Sequence, residues 1–253
     1  MQHHAGRIGA IMSNPRRHRA HPVFLVATGP PAWTDIVWQE MQRLPGTWCR
    51  VTSTPGLRGW LADHGGPRYI FFIHWSERVP SDIVRTCECV NFHMTALPYG
   101  RGGSPLQHLI LSGHRYTLLT AHRMVEDLDT GPIYCQHSLT LEGRAEEIYR
   151  RAMWVIAGQI RHIIADQPAP RPQEGTVVVW PRRTPQDSDI RTKPPGVCLY
   201  DFIRMLDAPG YPAAYVEQDG TRYEFTHARK QGDGTLIAQC RCSPIGRGAS
   251  LRN

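Results

Sequence analysis

The sequence predicts an α/β protein with a Rossmann-like, mainly parallel sheet flanked by helices, followed by a short C-terminal β-rich subdomain. Two observations predict the sheet: short apolar runs typical of buried strands alternate with segments of helical periodicity, and this alternation is typical of parallel sheets. A third observation predicts the subdomain, because residues 213–217 and 221–226 flank Asp219-Gly220, a dipeptide typical of hairpin turns.

The predicted elements of the first half begin at residue 22. Apolar runs mark the strands, and hydrophobic residues three and four positions apart mark the helices. Strands are expected at 23–27, 49–52, 69–74 and 89–93, and helices at 32–44, 56–64 and 81–86. The run from Tyr69 to His74 is the strongest strand signal in the chain.

A glycine-rich loop at 100–104 opens the second half and matches neither the dinucleotide nor the P-loop fingerprint. Beyond it we expect helices at 104–111, 142–165 and 199–206, and strands at 116–124, 132–139 and 176–180. A proline-rich linker at 167–174 and a polar loop at 181–197 separate the last of these elements. After Gly232 the chain has few packing signals, so no element is predicted there.

Composition and charge restrict the class of protein. The chain has 253 residues, of which 41% are hydrophobic, which suffices for one large domain and a small appendage. No apolar run approaches the roughly 20 residues of a membrane span, and the N-terminus lacks a secretory h-region. We therefore predict a cytoplasmic protein without membrane contact. Four arginines precede the first acidic residue, Asp35, so much of the +7 net charge belongs to the N-terminal segment.

The cysteines do not predict a metal site. There are seven, scattered along the chain, and the two close pairs have C-x-C spacing. Zinc sites usually carry C-x2-C or wider pairs with a matching second half. We therefore predict reduced thiols and no metal.

Three polar residues occupy positions that packing of the hydrophobic core does not explain. Asn91 and His93 lie two apart on a predicted strand, so they share one face at its C-terminal end. Asp129 follows later, in a loop between two strands. Without a matching nucleophile, the trio suits direct acyl transfer: His accepts the proton of an attacking amine, Asn donates to the oxyanion, and Asp orients the imidazole. A buried core histidine and a turn aspartate remain the alternatives.

Three motifs in order carry a family resemblance. Asn91-Phe92-His93, then Leu97-Pro98-x-x-Arg101-Gly102-x-x-Pro105, then Leu128-Asp129-Thr130-Gly131 resemble the signature of the formyltetrahydrofolate-dependent formyltransferases. The resemblance spans residues 71–228. Within the family, the stretches at 71–76, 92–95, 99–107 and 200–208 resemble the branch that acts on nucleotide-linked 4-amino sugars.

The resemblance implies roles for individual residues. Asn91 would stabilise the oxyanion, His93 would accept the proton, and Asp129 would hold His93. The co-substrate 10-formyltetrahydrofolate would lie along several loops, largely on main-chain atoms. The residues implied in binding it are Trp75, Ser76, Val79, Cys89, Arg101, Gly102, Gly103, Val125, Asp127 and Leu128.

The resemblance, together with the lack of core-facing periodicity before residue 22, predicts the domain organisation. We expect a disordered basic tail at 1–21, a formyltransferase catalytic domain at 22–180, and a linker with a short C-terminal subdomain at 181–253. The C-terminal part is similar to a shortened form of the family's β-rich subdomain, too short for the full tRNA-binding domain of methionyl-tRNA formyltransferases. Nucleic acid is therefore a disfavoured partner, and a homodimer is one option for the oligomeric state.

The predicted function is N-formylation of a nucleotide-linked amino sugar. One alternative is the same chemistry on another small amine, such as an amino acid or an antibiotic intermediate. The other is a non-catalytic folate- or RNA-binding module, which is disfavoured because all three catalytic residue types are present.

Overall fold

Strands and helices alternate through the first part of the computed structural model, which describes residues 22–30 and 32–245. The expected disordered tail at 1–21 lies outside the described residues. The elements up to residue 93 are β1 Val23–Thr28, α1 Asp35–Met41, β2 Thr47–Val51, α2 Thr54–His64, β3 Tyr69–Ile73, α3 Ser81–Thr86 and β4 Cys89–His93. Each predicted element of this part is present, although the helix expected at 32–44 begins with a 3-10 turn at Ala32–Thr34.

Longer and less regular segments follow. The remaining elements are β5 Arg101–Gly102, α4 Pro105–Leu111, β6 Tyr116–Arg123, β7 Ile133–Thr140, α5 Ala145–Asp166, β8 Val179–Trp180, α6 Leu199–Arg204, β9 Ala214–Gln218, β10 Thr221–Lys230 and β11 Leu236–Pro244. The strand expected at 176–180 is reduced to β8, and the polar loop at 181–197 contains two 3-10 turns, at Pro185–Ser188 and Ile190–Thr192.

A six-stranded sheet in the order β2-β1-β3-β4-β6-β7 forms the centre of the fold. The first four strands are parallel, whereas β6 is antiparallel to β4 and β7 is antiparallel to β6. The prediction of a mainly parallel sheet is thus confirmed. All five residues of β3 are buried, because helices cover both faces of this strand and leave it no solvent side.

Two hydrophobic cores lie on opposite faces of the sheet. Phe71 belongs to the larger core, which includes residues of α1, α4, α5 and α6. Phe72 belongs to the smaller core, beside Leu57 of α2 and Ile83 of α3. Successive residues of a strand point to opposite faces, so one strand anchors both cores. None of the helices in the described ranges is long and apolar enough to span a bilayer.

The C-terminal region is an antiparallel sheet in the order β11-β10-β9, and the predicted β-rich subdomain is therefore confirmed. The hairpin of β9 and β10 turns at Asp219-Gly220, as predicted. The expectation of no element after Gly232 is wrong, because β11 pairs with β10 along its length. This strand lies at the sheet edge and is largely exposed, so its sequence carries little hydrophobic signal.

Candidate active site

The three residues singled out in the sequence come together at the C-terminal end of β4. Asn91 and His93 lie on β4, and Asp129 lies in the loop between β6 and β7. His93 and Asp129 are 6% and 5% exposed, whereas Asn91 is only half-buried. Asn91 is therefore the member of the trio that presents the most surface to an incoming molecule.

The His93 ring is held by a main-chain carbonyl. Its Nε2 lies 2.7 Å from the carbonyl oxygen of Gly100. A carbonyl can only accept, so Nε2 carries the proton in the neutral ring, and Nδ1 keeps a free lone pair. Asp129 Oδ2 lies 3.6 Å from that Nδ1, too far for a hydrogen bond. The expectation that Asp129 holds His93 is thus corrected: Gly100 orients the ring, and Asp129 acts on it through charge.

Asp129 has an unusual backbone conformation, and hydrogen bonds from two neighbouring segments hold it in place. Its φ is +55°, a left-handed conformation that is uncommon for residues other than glycine. One carboxylate oxygen, Oδ2, accepts a hydrogen bond of 3.0 Å from the Gly102 amide. The main-chain carbonyl accepts a hydrogen bond of 2.8 Å from Gln173 Nε2. Both ends of the residue are therefore tied to neighbouring segments.

Asn91 has a partner that the sequence did not indicate. His122 of β6 is 2% exposed and lies directly opposite Asn91 in the sheet. Its Nδ1 lies 3.0 Å from the Arg123 carbonyl, and its Nε2 lies 3.2 Å from Asn91 Nδ2. In the neutral ring Nδ1 therefore donates and Nε2 accepts from the amide. The second amide hydrogen faces Asp129 Oδ1 at 3.5 Å, a long contact that is easily exchanged.

The electrostatics of the pair favour a neutral base beside a carboxylate. Burial lowers the pKa of His93 below its usual value of 6.5, and the Asp129 charge and the Gly100 carbonyl only partly oppose this. Burial acts to raise the pKa of Asp129, but contacts with His122, His93 and the Gly102 amide leave it lowered on balance. At neutral pH the site thus holds an unprotonated imidazole next to a carboxylate.

The glycine-rich turn predicted to bind folate passes very close to β8 and the residues that follow it. A Cβ on Gly102 would lie 2.3 Å from the Trp180 carbonyl oxygen, and one on Gly103 would lie 2.4 Å from the Arg182 Cα. Only glycine fits this close approach of two backbones. The Arg101 guanidinium donates to Gln173, so in this structure it holds the loop.

The remaining predicted folate residues divide into exposed and buried ones. Val125, Asp127, Leu128 and Ser76 are exposed, and Leu128 is 71% exposed. Trp75 is half-buried against Phe72, and its indole nitrogen is buried without a hydrogen-bond partner among the described residues. Val79 and Cys89 belong to the smaller core. Cys89 has no exposed surface, so a direct ligand contact by this residue is not supported.

Sequence reasoning missed two polar residues of the site, His122 and Gln173. A histidine within a strand and a glutamine within a proline-rich linker carry no spacing signal of their own. Pairing of β6 with β4 was needed to place His122, and the return of the linker to the site was needed to place Gln173. Chemically, the assembled groups offer a base, a hydrogen-bond donor and a fixed negative charge around one point.

Comparisons with known proteins identify the family. A family model described as "Formyl transferase" matches residues 62–152, and one described as "Methionyl-tRNA formyltransferase, C-terminal domain" matches residues 185–243. A solved methionyl-tRNA formyltransferase from Clostridium thermocellum is 34% identical, with a TM-score of 0.80. The match covers 88% of this chain and 99% of that one.

Curated relatives point the same way over a shorter range. The methionyl-tRNA formyltransferase of Moorella thermoacetica is 31% identical over 166 residues, which are 63% of this chain and 53% of the relative. The chain thus spans about half the length of the curated relatives it matches.

More distant structures share the fold. HypX from Aquifex aeolicus, solved with tetrahydrofolic acid, aligns at a TM-score of 0.67 and 13% identity over 85% of this chain and 40% of that one. A 4-N formyltransferase from Francisella tularensis aligns at 0.60 and 14% over 86% and 96%.

These comparisons correct two expectations and establish the family. The sugar branch is not the nearer one, since its structures are only distant neighbours while the methionyl-tRNA enzymes reach 34% identity. The C-terminal segment, expected to be too short for a tRNA-binding domain, matches the C-terminal domain model of those enzymes. Nucleic acid is accordingly not excluded as a partner. On the match to the Clostridium enzyme and the two family models, the chain belongs to the formyltransferase family.

Proposed function

We propose that this chain transfers the formyl group of 10-formyltetrahydrofolate to a primary amine. The observation that carries the proposal is the cluster of Asn91, His93 and Asp129 at the end of β4, in a chain of the formyltransferase family. The donor supplies an electrophilic formyl carbon. What the protein must add is a base for the amine proton and a donor for the oxyanion.

The residues suit that division of work. A neutral amine attacks the formyl carbon, a C–N bond forms, and the carbonyl oxygen gains negative charge. The second hydrogen of the Asn91 amide is available to this oxygen, because the amide nitrogen lies 3.5 Å from its present acceptor, Asp129 Oδ1. His93 Nδ1 takes the proton from the attacking nitrogen, and the resulting imidazolium faces Asp129. When the carbonyl re-forms and the bond from the formyl carbon to the folate nitrogen breaks, His93 gives this proton to the folate nitrogen and is neutral again.

The residues predicted to bind the folate co-substrate suit a flat, polar ring system. Val125 and Leu128 present exposed apolar surface beside Asp129, which suits one face of an aromatic ring. The indole nitrogen of Trp75, in the loop after β3, is a buried hydrogen-bond donor with no partner within residues 22–30 and 32–245. Among relatives of the same fold, the Aquifex aeolicus protein was solved with tetrahydrofolic acid. We assign donor binding to Trp75, the Gly102 turn and the 125–128 loop.

For the acceptor we propose the amine of methionyl-tRNA. The support is the identity to methionyl-tRNA formyltransferases and the match of residues 185–243 to their C-terminal domain. We assign the chemistry to residues 22–180 and recognition of the acceptor to 181–253. Nucleotide-linked amino sugars are the second candidate, because the stretches at 71–76 and 200–208 resemble the enzymes that use them.

A direct competition of acceptors tests this assignment. The full chain would be incubated with 10-formyltetrahydrofolate and, in separate reactions, charged initiator tRNA, thymidine- and uridine-diphosphate amino sugars, and free methionine. We expect formylated tRNA as the main product, at a rate that falls steeply with added salt because phosphate contacts release counterions. Formylated nucleotide sugar with inert tRNA would overturn the acceptor and keep the chemistry. No product from any amine would overturn the proposed function.

A further inference from the structure

We propose that Gln173, in the proline-rich linker at 167–174, is a positioning residue that keeps Asp129 in the conformation in which its carboxylate faces His93. The inference rests on the proposed function of the site. Its basis is a set of side-chain hydrogen bonds that links the linker, the glycine-rich turn and the Asp129 loop.

The Gln173 amide is fully used by its partners. Its Nε2 donates to the carbonyl oxygens of Asp129 and Gly131, both at 2.8 Å. Its Oε1 accepts from Arg101 Nε at 3.1 Å and from the Arg101 terminal nitrogen at 2.7 Å. Arginine can only donate and carbonyls can only accept, so the amide has one satisfactory orientation. Arg101 thereby fixes Gln173, and Gln173 fixes the Asp129 loop.

Asp129 needs such support. Its positive φ of 55° is a conformation that persists only when surrounding contacts enforce it. The Gly102 amide holds one carboxylate oxygen, but it leaves the main chain free to relax. The two Gln173 bonds span the main chain on both sides of Thr130, the segment that would move if Asp129 relaxed.

The linker itself is anchored independently of this contact. The main-chain amide and carbonyl of Arg171 bond to Ile133 at 2.8 and 2.7 Å. Beyond Gln173, the Val178 amide bonds to the Pro98 carbonyl, and β8 pairs with β5. Gln173 therefore lies between two fixed points. A residue that contributes only to folding would not need to place both amide hydrogens on the loop of a catalytic carboxylate.

The first test measures formyl transfer by Gln173→Met, which keeps the length of the side chain and removes both donors. We expect kcat to fall about 10–100-fold with the KM for the amine little changed, since a small displacement of a catalytic group costs about this much. Gln136→Met is the matched control, because Gln136 is another half-buried glutamine that donates to Leu97 and Thr120 but not to Asp129. If Gln173→Met does not fold, Gln173→Ala replaces it.

A double mutant separates positioning from general stabilisation. In an Asp129→Asn background, Gln173→Met should reduce kcat less than about twofold, because residues that act as one unit are not additive. A full additional loss would contradict the proposal, and so would wild-type kcat in folded Gln173→Met.

A measurement without substrate distinguishes this proposal from the proposed function. The titration of His93 would be followed by NMR in the ligand-free wild type and in Gln173→Met. Displacing the Asp129 charge should move the midpoint to lower pH, since that charge raises the pKa of His93. An unchanged midpoint overturns the role of Gln173 even if formyl transfer is confirmed. A lowered midpoint in Gln173→Met, found together with a wild-type chain that formylates no amine, overturns only the proposed function.

Discussion

At the residue scale, the proposed mechanism divides two tasks between two groups: one orients the base, His93, and the other stabilises its protonated form. Gly100 orients His93 through a hydrogen bond at 2.7 Å, and Asp129 lies 3.6 Å from the other ring nitrogen. A proton arriving at Nδ1 therefore creates an ion pair that did not exist before. The attraction grows as the reaction proceeds, which is the condition for a contact to speed a reaction rather than tighten substrate binding.

Asn91 and Asp129, the other two members of the trio, are predicted to contribute to turnover in different ways. Asn91→Ala should lower kcat about a hundredfold or more, because it removes the oxyanion donor. Asp129→Asn should lower kcat by a similar factor while it keeps an oxygen for the Gly102 amide. Steady-state kinetics with circular dichroism as the folding control measure both. Near-normal turnover in either folded variant would remove that residue from the mechanism.

The pH dependence follows from the burial of His93. Its pKa lies below 6.5, and only the unprotonated ring acts as a base, so the limb of kcat due to His93 should lie below pH 6.5. His122 and Asp129 are the titratable groups that face it. In Asp129→Asn the limb should move further down, because the charge that raises the pKa of His93 is gone. A limb above pH 6.5 that follows His93 in NMR titration would contradict this reading.

His122 is predicted to affect turnover indirectly, by orienting the Asn91 amide. His122→Ala removes the acceptor that fixes the Asn91 amide, so kcat should fall about tenfold, the effect of a misplaced group rather than a lost one. His122→Gln keeps an acceptor and should lose less. His162→Ala on the exposed side of α5 is the matched control. Equal losses in the Ala and Gln variants would show that His122 does not act by orienting the amide.

The sequence alone was enough to predict that the three residues of the trio come together, but not which residues form hydrogen bonds to them. Asn91 and His93 could be paired because strand residues two apart share a face, and Asp129 could be added because a motif carried it. His122 and Gln173 could not be found, because each reaches the site through pairing of segments far apart in the chain. The sequence also did not indicate that the Gly100 carbonyl, rather than Asp129, forms the hydrogen bond that orients the His93 ring.

At the element scale, regular elements were predictable where both faces were buried. β3 and α5 follow from hydrophobic pattern alone, and the buried stripe of α5 includes Ile148, Ile156 and Ile160. β11 was missed because an exposed edge strand needs no apolar alternation. The length of β8 was overestimated because residues 176–178 are all β-branched, whereas only Val179 and Trp180 pair with another strand.

The turn after Asp129 is predicted to be intolerant of any side chain. A Cβ on Gly131 would lie 1.8 Å from the Arg123 carbonyl oxygen of β6, so the backbone must shift. Gly131→Ala should cost about 2 kcal/mol and lower Tm by about 4–8 °C. Gly158→Ala is the matched control, because the space beside Gly158 in α5 is open. This variant should raise Tm by about 2–4 °C. Equal Tm changes, read by calorimetry, would contradict the close approach.

At the scale of the whole molecule, the linker joins the two parts of the chain through the active site. The linker pairs with Ile133 and contacts Asp129 through Gln173. The chain that follows it forms β8, which pairs with the glycine-rich turn. An acceptor bound by residues 181–253 would therefore lie close to the Asp129 loop, at the place where the linker contacts that loop. The fold class was predictable from alternation of elements, whereas this return of the linker was not, since it depends on contacts between backbones.

The most direct test of the central claim is single-turnover formyl transfer from labelled 10-formyltetrahydrofolate to methionyl-tRNA by the wild type and by His93→Asn. Asparagine cannot accept the amine proton, so we predict product with the wild type and a rate at least about a hundredfold lower with the variant. Circular dichroism should show that both are folded. A folded His93→Asn chain that transfers the formyl group at the wild-type rate would contradict the account.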